Sequence, residues 1–174
     1  MTQQPITAYV GLGANLDRPQ DNVRQAFELL SRADGVAGAT LSPRYRAAPW
    51  GVTDQPPFIN AACRLETTLS AVALLELCLD IERRLGRQRT GEKWGPRVID
   101  LDLLLFGDKV IRTDTLELPH PRLAERAFVL RPLIDLDAGL VDPRTGKALR
   151  DALAELPRVP GDLELINDAE AAEE

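Results

Sequence analysis

The sequence predicts an α+β fold, a mostly antiparallel sheet with helices packed on it. Three observations lead there. Short apolar runs with β-branched and aromatic residues alternate with longer stretches of helical periodicity. Their order along the chain is strand, helix, strand, strand, helix, strand. Short polar stretches with Gly and Pro separate them, and no linker or internal repeat divides the body, so one domain is expected.

Each element has a local cause. Ile6 to Gly11 is a short apolar run that reads as the first strand. Pro19 suits a first helical turn and Asp17 favours a helix N-terminus; Val23, Ala26, Phe27 and Leu30 then recur at helical spacing to about Ala33, and Gly35 ends the helix. A second strand is expected from about Val36 to Tyr45. Residues 46–57 hold three prolines and a glycine and read as a loop, long enough that a functional role is common. Phe58 to Leu65 is the third strand. Ser70 can cap a helix whose apolar face is Leu74, Leu75, Cys78, Leu79, Ile81 and Leu85, closed by Gly86. A polar, basic loop covers 87–97. Val98 to Phe106 is the fourth and clearest strand. Pro121 to Leu136 reads as helical but broken at Pro132, and Asp151 to Leu156 as one more short helix. The order is that of a ferredoxin-like βαββαβ core with helices on one face of the sheet, plus a C-terminal helical extension. The domain is placed at 1–158, with 159–174 as a disordered acidic tail.

Charge narrows the function classes. The 174 residues carry 21 basic and 27 acidic side chains and one His, a net charge of −6. The tail from Val159 holds six acids and no base, so the body is balanced. Within it, Arg83 to Arg97 contains six basic residues against Glu92 alone. Whole-molecule attraction to nucleic acid or anionic membrane is not expected. Cys63 and Cys78 lie in apolar runs and fit buried free thiols in a reducing compartment. No signal peptide or membrane span is legible, so a soluble, cytoplasmic protein is expected.

The chemistry gathers at the fourth strand. Side chains alternate along a strand, so Ile99, Leu101, Leu103 and Leu105 share one face and Asp100 and Asp102 the other, about 6.6 Å apart along the axis at ~3.3 Å per residue. Two carboxylates on an apolar strand repel and are costly to desolvate; either they pair with Arg at an exposed face or a divalent cation resolves the conflict. Arg97, Arg87, Arg89 and Lys93 lie close in sequence, and metal with several guanidinium groups suits a polyphosphate. Gly11 to Asn15 lacks the ending of a phosphate-binding P-loop and fails the dinucleotide pattern. His120, the single histidine, lies between prolines. Trp50 and Trp94 fall in polar loops, where they hint at a surface for a planar ring.

The string Arg89 to Gly107 (RTGEKWGPRVIDLDLLLFG) closely resembles the hallmark of the 6-hydroxymethyl-7,8-dihydropterin pyrophosphokinases of folate biosynthesis. The resemblance extends over Tyr9 to Leu16, Tyr45-Arg46, Asp54 to Pro56, Phe58 to Ala62, and Leu118 to Arg122 with Arg126 and Phe128. It implies transfer of pyrophosphate from ATP to the pterin hydroxymethyl group with release of AMP. By the same resemblance, Asp100 and Asp102 hold two Mg²⁺ ions, and Arg87, Arg97, Arg126 and His120 contact phosphates. Glu82, Arg89, Trp94 and Leu103 lie near the nucleotide. Phe58 and Phe128 sandwich the pterin, Asn60 bonds its edge, Asp100 lies beside it, and Trp50 and Trp94 close over it. Loops 46–57 and 87–97 resemble mobile lids. Thr90, Ala47 and Ala48 depart from common family residues. The implied partners are small molecules only, with no nucleic acid or membrane, and a monomer is expected. The competing readings are an RNA-binding module of RRM-like topology, against which the third strand lacks an aromatic run, and a metal-dependent phosphodiesterase built on the same acidic pair.

Overall fold

The computed structural model describes residues 3–49, 54–87, 96–158 and 162–167. The elements run β1 (Ile6–Ala14), α1 (Pro19–Ser31), β2 (Val36–Leu41), β3 (Tyr45–Ala47), β4 (Phe58–Thr67), α2 (Ala71–Arg84), β5 (Asp100–Phe106), β6 (Ile111–Arg112), β7 (Glu117–Leu118), α3 (Ala127–Leu136), α4 (Leu149–Glu155) and β8 (Leu163–Leu165). The main sheet has the order β5-β1-β4-β3-β8, with β2 also paired to β4, and every pairing is antiparallel. β6 and β7 form a separate hairpin.

The expected second strand is two strands, β2 and β3, both paired to β4. The break falls at Ser42-Pro43-Arg44, where Pro43 has no N–H for a ladder. The Ser42 hydroxyl repairs part of the gap by accepting the Ala62 N–H at 2.9 Å.

The sheet is covered on both faces, not one. Val10, Leu12, Ile59, Ala61, Cys63, Leu65, Leu101 and Leu103 pack under α1 and α2, meeting Val23, Leu30, Leu74, Cys78 and Ile81. Tyr9, Ala62, Leu104 and Leu105 pack on the other face against Leu130 and Leu133 of α3 and Leu149 and Ala152 of α4. The C-terminal helices are therefore the second layer of the domain. α3 begins at Ala127, preceded by turns, and continues through Pro132. The proline removes one ladder donor, but Leu130 and Leu133 anchor the helix in the core on either side of it.

Two further expectations change. Leu105 does not share a face with Leu101 and Leu103. Val10 pairs with Leu103 and Tyr9 with Leu105, so Leu104 is an extra residue, and this bulge turns Leu105 to the α3 side. Residues 162–167 do not behave as a tail: β8 pairs with β3, and Ile166 is buried in the main core. Leu163, Leu165 and Ile166 supply the apolar pattern that the surrounding acids mask.

Candidate active site

The α3 face of the sheet is left open near the end of β1, where the register lines up the chemistry. Gly13 stands between Asp100 of β5 and Asn60 of β4; one pleat along, Gly11 stands between Asp102 and Ala62. Because opposite residues share a face, two carboxylates and an amide flank a strip of bare backbone. A side chain on that strip would obstruct it. A Cβ at Gly13 would lie 3.1 Å from the Asn60 Oδ1, and one at Gly11 3.3 Å from a Leu104 methyl. Glycine here admits close approach of a ligand to the backbone.

This strip is the floor of an open cleft, about 720 Å³ when the adjoining open solvent is included. One wall is apolar, built from Ala47, Ala48, Phe58, Phe128 and Val129; the other is charged, built from Arg97, Asp100, Asp102 and Arg126. Arg126 occupies the position just before α3, and its guanidinium lies 5.5 Å from the centre of the Phe128 ring, joining the two halves. Burial, then the nearby Arg122, lowers the Arg126 pKa. Tyr45 of β3 donates a hydrogen bond to Asp135 of α3, which also accepts from Arg131 at 2.9 Å, so β3 is tied to α3.

An ion-pair chain sits at the charged end. Asp100 accepts from Arg87 at 2.9 Å and from Arg97 at 2.7 Å, one on each oxygen. The same Arg87 Nη1 donates to Glu82 at 2.5 Å. Glu82 is 3% exposed and also accepts the Leu101 N–H at 2.8 Å. Burial raises the Glu82 pKa, opposed by the Leu101 N–H and Arg87. Burial alone would lower that of Arg87, but Asp100 and Glu82 outweigh it and raise it. Asp102 is the strained member: burial, then the charges of Asp100 and Glu82, push its carboxyl up to about 7 against the pull of Arg97 and Arg126.

His120 stands beside Leu104 of the cleft, its backbone N–H donating to the Leu104 carbonyl at 3.0 Å. Its Nδ1 accepts the Arg122 N–H at 3.1 Å, so in the neutral ring the proton is on Nε2. Burial, then Arg126, lowers its pKa and keeps that neutral form.

The cleft therefore gathers Phe58, Asn60, Arg97, Asp100, Asp102, Arg126 and Phe128. Arg87 and Glu82 support it through Asp100. The Leu103 side chain, expected near the nucleotide, lies in the core under α1 and α2, because β5 alternation turns it away from the cleft. Trp50, Arg89 and Trp94 lie outside the described residues.

Sequence reasoning missed Asn15. Only 4% exposed, it follows β1 and joins both loops that flank the cleft. Its Oδ1 accepts the Arg97 N–H at 2.8 Å, and its Nδ2 donates to Gln55 at 2.9 Å and to the Pro56 carbonyl at 3.0 Å. Its own N–H donates to the Arg97 carbonyl at 3.0 Å. Its signal in the sequence is an amide closing an apolar strand, within the Tyr9 to Leu16 stretch.

Among the described residues no group of three or more His, Cys, Asp or Glu could hold a metal, and no helix is long and apolar enough to cross a membrane. Asp100 and Asp102 offer the hard carboxylate oxygens that a divalent cation takes.

Comparison with known proteins agrees with this chemistry. Residues 9–138 match the family model described as 7,8-dihydro-6-hydroxymethylpterin-pyrophosphokinase. A 2-amino-4-hydroxy-6-hydroxymethyldihydropteridine pyrophosphokinase from Methylorubrum extorquens is 44% identical over 149 residues, covering 86% of this chain and 92% of the relative. The folic acid synthesis protein of Schizosaccharomyces pombe is 41% identical over 150 residues, but the chain spans only 20% of its length. A crystal structure of Plasmodium falciparum HPPK-DHPS shares the fold with a TM-score of 0.69 at 14% identity, over 87% of this chain and 44% of that one. The charged half of the cleft, the apolar half and the glycine floor between them thus lie in a chain that belongs to the 7,8-dihydro-6-hydroxymethylpterin-pyrophosphokinase family.

Proposed function

We propose that this chain transfers pyrophosphate from ATP to the hydroxymethyl group of 6-hydroxymethyl-7,8-dihydropterin, with Mg²⁺ bound at Asp100 and Asp102. The observation that carries this reading is one cleft holding an aromatic, apolar half and a carboxylate-arginine half over a floor without side chains. A planar heterocycle fits between Phe58 and Phe128, with Asn60 at its edge. The hydroxymethyl arm then points towards Asp100 and Asp102.

In the reaction the hydroxymethyl oxygen bonds to the β-phosphorus of ATP, the bond from that phosphorus to the α–β bridging oxygen breaks, and AMP leaves. The hydroxyl proton passes to solvent or phosphate. Such transfers need in-line positioning and charge stabilisation, with little covalent work for the protein. Mg²⁺, when bound, supplies charge neutralisation on the phosphates and lowers the hydroxyl pKa. Arg97 and Arg126 face the same space and stabilise charge that grows on the transferred group. Arg87 and Arg97 hold Asp100 in place. His120 donates from Nε2 to a phosphate oxygen. Asn15 holds Gln55 and Pro56 on one side and Arg97 on the other, and so fixes the ends of both loops beside the reacting phosphorus. A soluble enzyme acting on small molecules in the cytoplasm fits this chemistry.

AMP release measured with ATP, Mg²⁺ and the hydroxymethyl pterin tests the reading. It predicts one AMP per pyrophosphorylated pterin and no turnover with EDTA; AMP release independent of the pterin would refute it.

A further inference from the structure

The apolar wall of the cleft depends on β3, and β3 is three residues long. Ala47 pairs with Phe58 of β4, and both line the cleft with Ala48, where the loop 46–57 sets out. A strand this short, paired on one side only, would be a weak support. It is paired on both sides. β8 covers its outer edge from end to end: Tyr45 opposes Leu165, Arg46 opposes Glu164 and Ala47 opposes Leu163. Two further bonds bracket the pair. The Ala48 N–H donates to the Asp162 carbonyl at 3.3 Å, and the Ile166 N–H donates to the Arg44 carbonyl at 3.0 Å. Arg46 and Glu164 lie 3.6 Å apart as an exposed ion pair of little energetic weight. The anchor is Ile166, 6% exposed in the main core, whereas Leu165 faces solvent.

β8 does not itself line the cleft, and it lies beyond residues 9–138 that match the family model. We infer that residues 162–167 are a positioning segment for the substrate site: by clamping β3 they hold Ala47, Ala48 and the start of the loop 46–57 against the ring-binding wall. This inference rests on the proposed reaction. It adds that pterin affinity, not ATP affinity, depends on a segment beyond the residues that match the family model. The asymmetry follows from geometry. Ala47 and Ala48 belong to the apolar wall, whereas Asp100, Asp102, Arg97 and Arg126 stand on β5, the segment before it and the start of α3, none of which pairs with β8.

Two variants test it. Glu164 shares with Ile166 the strand edge whose N–H groups point at β3, so Glu164→Pro removes a ladder donor and clashes there. Ile166→Ala removes the anchor from the core. Each is assayed by steady-state kinetics in both substrates, well below its own melting temperature, beside the unaltered chain. The expected result is a pterin KM raised roughly three- to tenfold in both variants with ATP KM within about twofold, and recovery in Ile166→Leu. An unchanged pterin KM in folded variants would overturn the inference, as would equal rises in both KM values. Failure of both variants to fold would also overturn it, by making β8 a structural necessity of the domain. Failure of the unaltered chain to release AMP would instead overturn the proposed reaction.

Discussion

Asp102→Asn separates what the acidic pair does for the reaction from what it costs the fold. The substitution keeps the shape of the side chain and removes its charge. In the folded chain burial and the charges of Asp100 and Glu82 push the Asp102 carboxyl from its ordinary 3.8 up to about 7. A carboxyl with a raised folded pKa binds its proton more tightly when folded. Its effect on stability is therefore most favourable below pH 4 and is lost as the pH climbs from about 3.8 to about 7. At ~1.36 kcal/mol per tenfold change, the loss above pH 7 is at most about 4 kcal/mol. Asp102 retains some contact with solvent, and neighbouring guanidinium groups reorient, so about half of that is expected. Asn resembles the protonated acid at every pH. Without ligands at pH 8, Asp102→Asn should thus melt about 4–8 °C above the unaltered chain, using ~2–4 °C per kcal/mol for a domain of this size. The gain should shrink towards zero near pH 4. If Asp102 is the Mg²⁺ ligand proposed above, turnover should fall at least about a hundredfold, because the cation it would hold at the transferred phosphate is lost. Paired thermal melts from pH 4 to pH 8, with the AMP-release assay, read both effects. A variant that melts at or below the unaltered chain at pH 8, or a gain that does not fade on acidification, would refute the electrostatic reasoning.

Other perturbations address the remaining parts of the site. Asp100→Ala should nearly abolish turnover; it also leaves Arg87 and Arg97 without their shared carboxylate, and near-normal activity would remove it from the phosphate end. Arg97→Ala should lower kcat more than it raises the ATP KM if its contact strengthens as charge is transferred, and an effect confined to KM would count against that role. Asn15→Asp keeps the acceptor for the Arg97 N–H but loses the donors to Gln55 and Pro56, so pterin KM should rise more than kcat falls, whereas Asn15→Ala should harm both. Gly13→Ala should raise pterin KM about tenfold with little change in melting temperature, because its methyl enters the floor 3.1 Å from Asn60 Oδ1; unchanged KM would show that the ligand does not approach that backbone.

Much of this protein follows from local rules. The helices α1 and α2 are legible from apolar spacing, from Pro19 and from the Ser70 cap, whose hydroxyl accepts the Ala73 N–H at 3.1 Å. Strand alternation alone places Asp100 and Asp102 together on the face opposite Leu101 and Leu103, and the charge of their flank points to a polyphosphate. These features depend on a residue's neighbours along the chain, so the sequence by itself determined them. What tertiary structure decided depends on pairings between distant segments. The bulge at Leu104 arises from the match of β5 to β1, and it moves Leu105 to the other face. Gly11 and Gly13 become a cleft floor only because β1 lies between β4 and β5. Asn15 gains its role from loops 40 and 82 residues away. The acidic C-terminal segment reads as a tail by composition, yet β8 is ordered by an open edge of β3 and a place in the core for Ile166. Composition reports the solubility of a segment; whether it folds depends on the edge and the pocket that another part of the chain offers it.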